Sequence, residues 1–149
     1  MRANLSTEMI NSLARKLEQN ALTDGGPPVS IAIYDENGFM LYFAKMDGAP
    51  LRSIKLAGNK AYSSSRMGTT TASFYKRLCE EKIDLSFFCD PCLTPIPGGA
   101  SIIIGHCLIG AVGISGRRPE DDQKFADMAA LKIVQEILKS QDILLGDAK

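Results

Sequence analysis

The chain has 149 residues, 45% of them hydrophobic and 23% charged, which suits one domain able to bury a core without disulfide staples. Seventeen basic and seventeen acidic residues cancel to zero net charge, and the clearest basic pair, Arg117-Arg118, runs straight into Glu120, Asp121 and Asp122, so no basic footprint for nucleic acid is present. The mixed charge of the first residues and the lack of a long apolar run argue against a secretory leader and a membrane span, so the chain is expected in the cytoplasm, where four cysteines serve as thiols or metal ligands rather than disulfides.

Residues 6–23 read as an amphipathic helix. Ser6 is the expected N-cap, and Met9, Ile10, Leu13, Ala14, Leu17, Ala21 and Leu22 recur at helical spacing. The Asp-Gly-Gly-Pro-Pro run at 24–28 stops it. Residues 29–35 and 39–46 read as antiparallel strands, with Asn37-Gly38 as the hairpin signal. The first is apolar almost throughout and is expected to be central, covered on both faces. A Met-Asp-Gly-Ala turn then leads into a helix over 50–65, with Leu51, Ile54, Ala57, Gly58, Ala61, Tyr62 and Ser65 on one broad face.

A further helix spans 69–82, capped by Thr70 or Thr71, with Phe74, Leu78 and Cys79 on its apolar side. Residues 84–100 carry Pro91, Pro95 and Pro97 and are expected to be irregular to extended, ending in a tight Pro97-Gly98-Gly99 turn. Residues 101–105 and 107–115 form a second hairpin through Gly105-His106, and Gly110 and Gly113 allow a bulge or a close backbone approach. The last helix covers 118–140. Pro119 suits its first position, its acids face the positive end of the dipole, and Phe125, Ala126, Ala129, Ala130, Ile133, Val134, Ile137 and Leu138 form the buried stripe. The order predicts one α+β domain over 1–149, a three-layer α/β/α arrangement.

Two blocks of this sequence resemble the GlcG/HbpS family, also known as DUF336, which includes the C-terminal domain of PduO-type proteins. The first is Asp35, Gly38, Met46-Asp47-Gly48-Ala49 and the helix carrying Ala57, Lys60 and Ala61; the second is Pro97-Gly98-Gly99 with the run Ile109 to Gly116. The resemblance implies a profilin-like fold with a five-stranded antiparallel sheet between helices. It also implies homo-oligomers and the binding of haem or a related corrinoid. Met46, Asp47, Lys60, Tyr62, Gly98, Gly99 and Ser115 are then the expected cofactor-binding residues, with the ring lying between helix and sheet. The adenosyltransferase activity of PduO-type proteins belongs to a second domain and is not carried over. The rival reading is a structural or accessory oligomer without a cofactor, and the third is an enzyme on a small metabolite.

Catalytic residues are not expected. The run Gly113-Ile114-Ser115-Gly116-Arg117 approaches the G-x-S-x-G elbow but ends in Arg, and the chain has one histidine, in a turn. Nothing has phosphate-loop spacing. For haem iron, His106, Met46, Tyr62 and the cysteines have the right donor chemistry. Cys89 and Cys92 form a C-x-x-C pair, which supplies two zinc ligands in many sites. If residues 89–95 paired as a strand with 101–105, His106 and Cys107 would complete the set, with Cys79 as a substitute; buried thiols are the plainer expectation.

Overall fold

The computed structural model describes residues 5–147, with side chains through Gln141. Helix α1 (Thr7–Thr23) starts at Ser6, whose side chain accepts the Met9 amide. Strands β1 (Ser30–Asp35) and β2 (Met40–Lys45) form an antiparallel hairpin. Helices α2 (Arg52–Met67) and α3 (Thr71–Glu81) follow, then a 3-10 turn at Leu85–Phe88. Strands β3 (Gly99–Ile104) and β4 (Cys107–Ser115) make the second antiparallel hairpin, and α4 (Pro119–Asp147) closes the chain, running beyond the expected residue 140.

The sheet has four strands in the order β2-β1-β4-β3, so the two most apolar strands are central, as their composition requires. The expected fifth strand does not form. Cys89 adopts a left-handed backbone (φ 55°), and Asp90-Pro91-Cys92-Leu93 closes a turn through the Leu93 amide and the Asp90 carbonyl. A segment that turns there cannot extend alongside β3.

One face of the sheet carries Ile31, Ile33, Ile102, Val112 and Ile114 against α1 and α4, forming the main core with Leu13, Leu17, Phe125, Ile133 and Ile137. Leu22 and Leu138, expected in the buried stripes, are 67% and 43% exposed. The other face is covered by α2 and is built from small residues, Ala32, Ala57 and Ala61, with Tyr34 and Phe43 at its margin. Gly113 sets this spacing. A Cβ there would run into the carbonyl oxygen of Ala57, so the helix backbone lies directly on the strand.

The buried side of α2 is rotated from the expected one. Leu51 and Ile54 are exposed, while Ser53, Lys60, Ser63 and Ser64 are buried. The apolar phase misleads because this helix hides polar groups that find partners inside. Ser53 and Ser30 share a hydrogen bond of 2.8 Å, and the Ser65 hydroxyl donates to the Asp35 carbonyl at 2.9 Å. The Ser64 hydroxyl alone has no partner among the described residues. A Ser64→Ala variant is therefore expected to be neutral or more stable by up to about 1 kcal/mol, read from urea unfolding, because it removes an unsatisfied group.

Candidate functional site

The turn at 46–49 brings the chain from β2 into α2. The Ala49 amide donates to the Met46 carbonyl at 3.0 Å, and Gly48 occupies the left-handed position (φ 85°) that such a turn demands. Met46 is half-buried, with its sulfur accepting the Val29 amide at 3.5 Å and its body against the main core. Asp47 is exposed beside it.

Four other expected residues lie in the interior, at the junction of α2, the Pro97-Gly98-Gly99 turn and the start of α4. Lys60 is 1% exposed. Its amine donates to the Ile114 carbonyl at 2.9 Å and to Asp122 Oδ2 at 3.2 Å. Burial pulls the Lys60 amine below its ordinary range and the Asp122 carboxyl above its own, each opposed by the partner's charge. Asp122 Oδ1 accepts the Arg117 amide at 3.0 Å. Next to it, Gln123 Oε1 accepts the Gly98 amide at 2.7 Å, Gln123 Nε2 donates to the Gly99 carbonyl at 2.8 Å, and Thr71 Oγ1 accepts the Gly99 amide at 2.8 Å. Ser115 is buried at the end of β4. The two glycine amides are thus already paired, and the amine makes two hydrogen bonds and lies away from solvent. This cluster ties three elements together, and its burial keeps it from a ligand at the surface.

Asp122, Gln123 and Thr71 were not legible as members of this cluster. Asp122 sits in an acidic run that reads as dipole compensation, yet Glu120 and Asp121 are exposed while Asp122 is 1% exposed. Arg117, half of the apparent basic pair, is also used internally. Its guanidinium holds Asp24 through contacts of 2.7 and 2.8 Å, keeping that carboxyl below its usual range, and it lies over the Phe125 ring.

A second grouping faces outward along α2. The Tyr62 hydroxyl donates to Asp90 Oδ2 at 2.6 Å and Arg66 lies over its ring. That bond pushes the Tyr62 phenol up and the Asp90 carboxyl down. The Tyr34 hydroxyl passes over Gly58, where a Cβ would come within 2.9 Å of it. Burial first, and then neighbouring Cys92, push the Tyr34 phenol up. Tyr34, Gly58, Tyr62 and Cys92 therefore share one side of α2, and both phenols stay protonated at neutral pH. No space exists between α2 and β4 for a planar ring, because Gly113 meets the Ala57 backbone.

The expected zinc set does not assemble. Cys79, Cys89, Cys92 and Cys107 are all exposed rather than buried, Cys89 lies in the turn described above, and His106 and Cys107 sit exposed at the β3–β4 hairpin. Among the described residues no three His, Cys, Asp or Glu side chains converge as a metal site. No helix among them is long and apolar enough to cross a membrane.

Comparison with known proteins adds the following. The family model described as haem degrading protein HbpS-like matches residues 5–131. Protein GlcG of Escherichia coli K12 is 27% identical over 111 residues, 74% of this chain and 81% of GlcG. The crystal structure of an HbpS double mutant from Streptomyces reticuli superposes with a TM-score of 0.77 at 25% identity, covering 88% of each chain. The PduOC–haem complex superposes with a TM-score of 0.77 at 27% identity, covering 86% of this chain and 94% of PduOC.

Proposed function

This chain belongs to the HbpS-like family, and from that membership we propose that it binds haem as an accessory protein. The observation that carries the reading is its likeness to PduOC over most of both chains, together with the haem in that complex. The haem is assigned to the outer side of α2, against Tyr34 and Tyr62. The Tyr34 hydroxyl fills the space over Gly58, so the ring would lie on the phenols, and Cys92 brings an exposed donor of the right chemistry beside Tyr34. The phenols are poorer iron donors, because a Tyr ligand binds as phenolate and both are pushed up. Met46 and Asp47 lie in the turn that leads into this helix. Lys60, Gly98, Gly99 and Ser115 act from within, fixing α2 and the Pro-Gly-Gly turn.

Titration with haem is expected to give a shifted Soret band that saturates at one haem per chain or per two chains. Cys92→Ser is expected to move or abolish that band, while His106→Ala leaves it in place. A spectrum that is only the sum of free haem and protein overturns the reading. A parallel titration with a corrinoid tests the related ring.

The rival reading, an accessory oligomer without a cofactor, has one specific support. Lys60, Gly98 and Gly99, which carry much of the family likeness, are consumed by internal bonds. The additive spectrum is the result that reading expects.

A further inference from the structure

A cavity of about 400 Å³ opens between α1 and α4, on the side of the sheet away from α2. Helical spacing builds it. Leu13 and Leu17 lie one turn apart on α1 with Lys16 beside them, and Lys132, Ile133 and Glu136 share a face of α4. Leu13, Leu17 and Ile133 are buried and make the floor. The methylene stems of Lys16 and Lys132 carry the apolar lining up the walls.

The charges around this floor do not cancel. Lys16 and Glu136 meet across the cavity at 3.7 Å. Glu136 also stands four residues from Lys132, a spacing at which helical ion pairs form, but it is Lys16 that it reaches. Among the described residues Lys132 makes no ion pair, although its side chain is half-buried. Two ammonium groups and one carboxylate leave the cavity with one positive charge that has no counter-ion.

We propose that this cavity binds a small amphiphilic monocarboxylate, an aliphatic acid whose tail lies on Leu13, Leu17 and Ile133 and whose carboxylate meets Lys132. A neutral chain of the same size would leave the Lys132 charge without a partner. A cation would be repelled by Lys132, with Glu136 already taken by Lys16, and a dianion would bring one charge more than the cavity offsets. Asn20 and Gln135 at the rim add amide donors for the carboxylate. The volume falls at the lower end of the range of about 300–1,000 Å³ usual for small-ligand sites, and an apolar lining with few polar groups is their common character. The inference does not rest on the haem reading, which uses the other side of the sheet.

Octanoate is the probe, titrated into the haem-free protein by calorimetry beside 1-octanol and octylammonium, which carry the same chain with no charge and with the opposite charge. Octanoate is expected to saturate at one per chain. The other two are expected to bind at least about tenfold more weakly, the usual worth of a contact to a charged group. Lys132→Gln is expected to weaken octanoate about tenfold while leaving 1-octanol unchanged, a split that a packing defect would not produce. A readout that needs no variant is methyl NMR of the parent, in which octanoate is expected to move the Leu13, Leu17 and Ile133 signals. The proposal is overturned by any of four results: no saturable octanoate binding, an affinity for 1-octanol or octylammonium equal to or above that for octanoate, methyl shifts confined to the α2 side of the sheet, or a folded Lys132→Gln that binds octanoate as the parent does.

Discussion

Replacing Lys60 by Met is expected to cost about 3–5 kcal/mol of folding stability, the usual cost of leaving one member of a buried ion pair behind. The Asp122 carboxylate would remain within the fold, 1% exposed, with backbone amides at Arg117 and Gly116 but no cation to offset its charge. The double variant Lys60→Met, Asp122→Asn is expected to recover most of that loss. Asn keeps an oxygen for the Arg117 amide and carries no charge, and buried ion pairs are often replaceable at little cost when both members go together.

The pH dependence separates this from a simple packing defect. Burial already raises the Asp122 carboxyl above its unfolded value of 3.8, and removing the Lys60 cation takes away the main opposing influence. A group whose folded pKa is raised binds its proton more tightly in the folded state. Stability therefore increases as pH falls through the raised folded value toward 3.8, and the single variant is expected to regain stability on acidification. The double variant is expected to lack that gain. Urea midpoints at neutral and mildly acidic pH provide the measurement. A single variant as stable as the parent at neutral pH would remove the pair from its assigned role.

The second large effect is expected at Gly113. Any Cβ at this position enters the backbone of α2 at Ala57 and Ala61, and backbone cannot swing aside as a side chain does. Gly113→Ala is expected to cost about 1–3 kcal/mol, with Gly113→Val costing more, because α2 must lift from the sheet. Thermal melts followed by circular dichroism report the loss. A Gly113→Val protein that melts with the parent would mean that α2 rides up freely and that the close approach is not needed. Gly113 pairs with Ala32 on one side and Gly99 on the other, so the same displacement would reach the Pro-Gly-Gly turn.

The sequence by itself determined the elements, their order and most of the core. Apolar runs and turn residues mark both hairpins, helical spacing marks the main core, Ser6 caps α1 as expected, and Thr70, one of the two expected candidates, caps α3. These signals are local, and local chemistry is enough to produce them. The two family blocks were also legible as a pattern, though not what their residues do. Tertiary structure alone decided that Lys60 points inward to Asp122, 62 positions away along the chain, because nothing near Lys60 announces its partner. It decided likewise that residues 89–95 turn instead of forming a fifth strand, so that Cys89 and Cys92 do not join His106 and Cys107 in a metal cluster. It also set the phase of α2, where buried serines and a buried lysine look like a solvent face until their partners on β1, β4 and α4 are in place. Burial of polar groups is a property of pairs brought together by the fold, and a linear pattern of apolar residues carries no record of it.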